Sequence, residues 1–418
     1  MQMIEQSRLC GVPLQDIFNK KMMARVFALI SCEAHNAGYV LPEKPERFVM
    51  DERLREMMFG QSSPEGAIVL PPQRDFYDRP ICTLDFASLY PSIMRGFKLC
   101  YTTLILDPKW LEDPETTFVC LEIRNPHKPE ELPFKVYWAT HVKEPLLYKV
   151  LTKLLAARSA AKKLMNSATE AVDVAQKALV QEKEAKDVPR ERELIAVIAA
   201  EKFKETLYNA KQEALKVICN SAYGFTGAGV GPLPCMAITS AVTWYGRKMI
   251  MQTKEYVESH IPGALVIYGD TDSVMIDFNR GNDEAAFRSA FTDGKRMAAE
   301  ITKLFPPEVK LEFEKVFYPY ILWGKKTYAG VLFTDPDKQG EYKRKGIASV
   351  RGDKIKFVTR LTDTLVKQMI KEKSTDGAKE MLHEQLRKII ENDLPVEDFI
   401  IEKKLAKETE MYQGTLES

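Results

Sequence analysis

The sequence predicts a mixed α/β (α+β) fold: a sheet-based body that carries an acidic strand tip, with a long helical hairpin projecting from it. Three stretches predict this. Residues 265–278, LVIYGDTDSVMIDF, read as two apolar strands meeting at Gly269-Asp270-Thr271-Asp272. Residues 81–93, ICTLDFASLYPSI, run from an apolar strand through Asp85 into a turn or helix start at Ser88 to Pro91. Between them, residues 145–186 contain no Gly and are dominated by Leu, Ala, Lys and Glu.

The elements follow in chain order. Residues 14–37 have helical spacing and stop at Gly38, and Pro42 and Pro45 mark a connection. Residues 66–70 and 80–86 read as strands, with shorter candidates at 118–123 and 134–138. Pro145 opens the Gly-free run as a first-turn proline does. Asp187-Val188-Pro189 interrupts the pattern, and a second helical run covers 190–221. The two runs form an antiparallel hairpin with arms of about 50–60 Å at 1.5 Å per residue. Strands return at 264–268, 273–278, 310–317, 327–333 and 341–350, and helices close the pattern at 355–373 and 377–392.

The chain has 418 residues, room for roughly two to four domains. A formal net charge of +1 gives no global basic character that would advertise a polyanion partner. Locally, residues 338–373 hold 11 Lys/Arg against 4 Asp/Glu, whereas 374–418 hold 6 against 11. The basic segment is suited either to a solvated surface or to a phosphate backbone. The seven cysteines, at 10, 32, 82, 100, 120, 219 and 235, contain no C-x-x-C pair, which argues against zinc ribbons and iron–sulfur sites. With no signal peptide and no membrane-spanning apolar run, a soluble intracellular protein is expected.

Two carboxylates two residues apart repel each other and are costly to bury, so the tip calls for a cation. Asp85 ends an apolar strand just before backbone amides at Ala87 to Tyr90, a pattern suited to holding Mg²⁺ beside bound phosphate. Asp85, Asp270 and Asp272 on adjacent strands therefore suggest two-metal phosphoryl or nucleotidyl transfer. On the second arm Lys216, Asn220 and Tyr223 share one helix face, and Arg158 and Lys162 share one on the first arm. From spacing alone, plain solvent exposure for Lys216 and core packing for Tyr223 are favoured over contact with a ligand.

With these residues the sequence resembles family B DNA polymerases. DFASLYPSI (85–93), KVICNSAYG (216–224) and YGDTDS (268–273) resemble the family's three polymerase motifs in order and spacing. EGA (65–67), KKTYAG (325–330) and KGIASVR (345–351) resemble further family segments. FEKVFYPYILWGKKTYAG (313–330) is most similar to delta-type replicative polymerases and those of large double-stranded DNA viruses.

The resemblance implies a right-hand polymerase core: an N-terminal connector at 1–56, palm at 57–145 and 226–353, helical-hairpin fingers at 146–225, and a truncated helical thumb at 354–418. It implies DNA-directed DNA polymerase activity in replication, in the nucleus or in a virus-infected host cell. Two Mg²⁺ ions, replaceable by Mn²⁺, would be held by Asp85, Asp272 and the Phe86 carbonyl, with Asp270 near the primer end. Ser88 and Leu89 amides would hold the triphosphate of a dNTP. Tyr90 would lie under the sugar and exclude a 2′-hydroxyl. Arg158, Lys162 and Lys216 would neutralise phosphate charge, with Asn220 supporting that face.

Tyr223 and Gly224 would border the nascent base pair. Lys325, Lys326, Tyr328 and Arg351 would follow primer-template DNA, where minor-groove acceptors report pair shape without reading sequence. A sliding clamp or processivity factor is the further partner implied. Residues 1–56 carry no exonuclease motifs, the thumb is short, and RGD (351–353) replaces a more basic pattern. The expectation is therefore a partial polymerase. Two rival readings are a non-catalytic DNA-binding fragment and a two-metal nuclease.

Overall fold

A computed structural model describes residues 1–20, 22–42, 55, 57, 66–123, 130, 133–185, 188–347 and 355–401. It is a mixed helix-and-sheet fold, as expected. Arg351, Glu65 and residues 348–350 lie outside the described residues.

The strands are β1 (Asp75–Tyr77), β2 (Ile81–Phe86), β3 (Phe118–Ile123), β4 (Phe134–Ala139), β5 (Leu265–Asp270), β6 (Ser273–Asp277), β7 (Leu311–Gly324), β8 (Thr327–Phe333) and β9 (Glu341–Lys345). The chain divides into two compact units. One comprises Met1–Ala67, Ala87–Met249 and Phe305–Lys310; the other comprises Ile68–Phe86, Ile250–Leu304 and Leu311–Ser418.

The first unit is mostly helical. Its hairpin arms are Leu146–Ala185 and Val188–Gly227. At 40 residues each they reach about 60 Å. Pro189 does not end a helix but sits in the first turn of the second arm, where its missing N–H costs no hydrogen bond. The second arm also runs six residues past the expected 221. Helix Gln2–Cys10 was not foreseen. The expected single helix at 14–37 is two, Leu14–Asn19 and Met22–Asn36, parted where Lys20 turns extended at φ −105° and ψ 141°. The break lets Ile17 join Cys10 and Val12 against Val150, Leu154, Leu215, Ile218 and Cys219 of the hairpin base. The β3–β4 ribbon also belongs to this unit.

The second unit is built on a sheet of seven strands among the described residues, ordered β5-β6-β2-β7-β8-β9, with β1 also paired to β7. Its ladders are antiparallel. β7 outruns the expected 310–317 because β1 and β2 occupy successive lengths of one edge while β8 pairs along the other. One face buries Tyr77, Ile81, Tyr268, Met275, Phe317 and Tyr320 together. Over β2 and β7 lies helix Glu284–Thr302, started by the Asp283 side chain accepting from the Ala286 N–H at 2.7 Å. It approaches so closely that a Cβ on Gly294 would stand 2.5 Å from Cys82 Sγ. The expected strand at 66–70 is only a bridge, Val69 to Asp270.

All seven cysteines are free thiols, as their spacing suggested. Among the described residues no helix is long and apolar enough to cross a membrane.

Candidate active site

In the sheet unit, β5 and β6 pair through Asp270 and Ser273, leaving Thr271-Asp272 as the connection. The Asp272 N–H donates to the Asp270 carbonyl at 2.7 Å, closing a three-residue turn about Thr271. Thr271 stands at φ 62°, a left-handed conformation disfavoured for a β-branched side chain. The turn is held from outside: the Thr271 N–H donates to Ile68 O at 3.1 Å, and the Phe86 N–H donates to Asp272 O at 2.8 Å. The Leu70 N–H also donates to Gly269 O at 2.9 Å. Residues 68–70 thus brace the tip rather than forming a strand.

The two acids at the tip have different surroundings. Lys326 Nζ donates to both Asp270 carboxylate oxygens, at 2.7 and 2.8 Å. That hydrogen bond raises the lysine's pKa. Lys326 was expected along DNA; here it neutralises Asp270. It occupies the two-residue connection between β7 and β8, at φ 59°, and its N–H donates to the Tyr268 hydroxyl at 2.8 Å.

Asp272 belongs instead with Asp85. Asp85 lies on β2 between Ser273 of β6 and Glu312 of β7. Burial, then the Asp272 and Glu314 carboxylates, push its carboxyl up to about 7, against a smaller opposing effect of Lys315. Burial and the neighbouring acids also raise Asp272, against its backbone hydrogen bond and Lys345. Two half-buried carboxylates, each disfavoured in its charged form, with hard oxygen donors, are the surroundings a divalent cation reverses. Among the described residues no three His, Cys, Asp or Glu side chains form a ready metal cluster. Glu314 was not singled out from the sequence. The alternation in Leu311-Glu312-Phe313-Glu314 was its available signal.

The helical unit holds the other expected residues. Ser88 precedes helix Leu89–Gly96 at φ 49°, ψ 54°. N–H groups at a helix start have no partner within the helix. The Ala87 amide, expected in the phosphate cradle, is instead taken by the Lys310 carbonyl at 2.9 Å. Arg158 Nη1 donates to Ser88 Oγ at 2.8 Å, while its Nε is buried with no hydrogen-bond partner. A half-buried guanidinium with spare donor capacity suits an anion. The Tyr90 and Tyr223 rings lie 4.4 Å apart at 44°. Gly246 lies beside Tyr90: a Cβ there would stand 3.6 Å from the ring, an ordinary contact. Leu89 is buried, and Lys162, Lys216, Asn220 and Gly224 are exposed.

In the sheet unit Phe86 is buried, Lys325 is exposed in the turn, and Tyr328 is half-buried against Phe317 and Tyr320 at 5.9 and 5.7 Å.

A model of DNA polymerase family B matches residues 12–184 and 190–417. The chain is 35% identical over 414 residues to the DNA polymerase delta catalytic subunit of Drosophila melanogaster, covering 97% of this chain and 33% of that protein. For the subunit of the same name in Caenorhabditis elegans it is 36% over 422 residues, covering 98% and 34%. For that of Schizosaccharomyces pombe it is 33% over 411 residues, covering 96% and 33%. The chain spans about a third of the length of these curated relatives.

Proposed function

Because the chain belongs to DNA polymerase family B, we propose that it is the catalytic core of a replicative DNA-directed DNA polymerase, with palm, fingers and thumb assigned as the motifs imply. The observation that carries this reading is the Asp85–Asp272 pair: Asp85 on β2 stands opposite Ser273, the Phe86 N–H donates to Asp272 O, and the Asp272 carboxylate raises the cost of ionising Asp85. The reaction is attack of a primer 3′-hydroxyl on the α-phosphate of a dNTP. The oxygen–phosphorus bond forms as the bond to pyrophosphate breaks, and the hydroxyl proton is lost to solvent.

Asp85, Asp272 and the Phe86 carbonyl would hold Mg²⁺, for which Mn²⁺ is a substitute. Two such ions supply charge neutralisation and a more acidic 3′-hydroxyl. Asp270, already paired with Lys326, is the acid left to support the primer end rather than bind metal. Lys325 and Tyr328, with Arg351, are assigned to the primer-template. Arg158 uses its unpaired Nε–H for phosphate oxygens, joined by the Ser88 and Leu89 amides and by Lys162 and Lys216, with Asn220 on the same arm. Tyr90, steadied by Tyr223, fills the space of a ribose 2′-hydroxyl, and Gly224 borders the new base pair. A sliding clamp is the processivity partner that fits this reading.

The test is primer extension by the full chain with Mg²⁺ and dNTPs, beside Asp85→Ala. Extension by the first alone supports the reading. Nucleotide release from labelled DNA without any dNTP would favour a nuclease, and salt-dependent DNA binding without either activity would favour a non-catalytic module. Within the proposed reading, Tyr90→Ala should raise ribonucleotide over deoxyribonucleotide use by roughly 10²-fold, the scale of losing a steric filter against one hydroxyl. Single-nucleotide insertion kinetics check it, and an unchanged preference removes Tyr90 from that role.

A further inference from the structure

The Tyr268 hydroxyl is the one polar atom of a side chain otherwise enclosed among Tyr77, Ile81, Ile267, Met275, Phe317 and Tyr320. The residue is 1% exposed. Its hydroxyl accepts the Lys326 N–H at 2.8 Å.

The geometry around that hydroxyl is unusual for a hairpin end. Gly324 and Thr327 pair directly, so Lys325-Lys326 is the whole connection between β7 and β8. Lys326 stands at φ 59°, a conformation a lysine adopts only when its surroundings hold it. Its side chain then lies on Asp270, 56 positions earlier in the chain, and contacts both carboxylate oxygens. A ring fixed in the core thus holds the turn through its backbone N–H, and the turn lays Lys326 on the tip acid.

We propose that Tyr268 is a positioning residue, whose hydroxyl holds the Lys325-Lys326 turn in the conformation that lays Lys326 across Asp270. The consequence for chemistry rests on the polymerase reading above. With Asp270 neutralised and held, the tip presents Asp272 as its single unpaired acid, and Lys326 stays aligned with the primer end. Without the hydroxyl the turn is free to relax, and Lys326 leaves Asp270 for solvent for part of the time.

Tyr268→Phe removes one oxygen and keeps the ring in its packing. Two readouts on the full chain separate this inference from the reading it rests on. The first needs no activity: hydrogen exchange of the Lys326 amide, which should quicken at least about 10-fold in Tyr268→Phe as the amide loses its acceptor. The second is the extension rate. Tyr268→Phe should slow it about 10-fold while leaving primer-template affinity within about twofold, as expected of misalignment rather than lost binding.

Introduced into Lys326→Ala, the same change should add nothing, because both variants break one linkage. A merely structural role predicts additive losses. Unchanged exchange overturns the proposal, as does a normal extension rate or an additive double variant. If the unmodified chain extends no primer, the functional reading fails by itself, and the exchange result alone decides whether Tyr268 holds the turn.

Discussion

Asp272→Asn should abolish primer extension, by at least about 10³-fold or roughly 4 kcal/mol of transition-state stabilisation, while DNA affinity stays near that of the unmodified chain. The substitution preserves shape and removes charge at the position where β5 turns into β6. In the folded chain the Asp272 carboxylate is disfavoured by burial, Asp270 and Glu314. A neutral amide relieves that cost, so the variant should unfold at the same temperature as the parent or a little above it in metal-free buffer. The backbone of residue 272 still accepts from the Phe86 N–H and donates to the Asp270 carbonyl, so the turn keeps its anchors. Loss of activity with retained or raised stability identifies a site that stores unfavourable charge for function. Extension within tenfold of the parent, measured at saturating dNTP, would remove Asp272 from catalysis.

Tyr320→Ala should be the most destabilising single truncation in the sheet unit, costing about 3–5 kcal/mol. Tyr320 is fully buried on β7. Its ring centroid lies 5.0 Å from that of Phe317, 5.7 Å from Tyr328 and 6.2 Å from Tyr77, and its hydroxyl donates to Met275 Sδ at 2.9 Å. Truncation opens a ring-sized cavity under β5 and β6, the strands that carry the acids. A loss of that size is a large share of ordinary domain stability, about 5–15 kcal/mol. Tyr320→Phe keeps the ring and should cost only about 1 kcal/mol, the worth of one hydrogen bond. Urea midpoints for the pair of variants check this, and a Tyr320→Ala protein as stable as Tyr320→Phe would show that the cluster repacks.

The chemistry-bearing residues stand in short local patterns, and these are legible from sequence. Asp85 and Asp272 each end or begin an apolar strand, and strand period and turn chemistry are properties of neighbours along the chain. The hairpin arms were legible for the same reason: long runs dominated by Leu, Ala, Lys and Glu favour helix locally, with Pro189 confined to the first turn of the second arm. Helix Met236–His260 was not legible. Much of its surface is buried from Ala237 to Ile250, so it shows no polar stripe, and Gly246 and several β-branched residues weaken its propensity. Helix Glu284–Thr302 did carry readable spacing, with Phe287, Phe291 and Ala298 inward.

What only the tertiary structure decided is which partner each acid takes. By spacing alone Asp270 and Asp272 are two equivalent carboxylates at one tip, and only the family resemblance set them apart. Folding brings Lys326 to the first and leaves the second beside Asp85 and Glu314. It also takes the Ala87 amide away for Lys310 and turns residues 68–70 into a brace. The reason is physical. Charge pairing and hydrogen bonding act through a few ångströms of space, and partners about 40 to 230 positions apart in the chain are set by strand register, which no local pattern encodes.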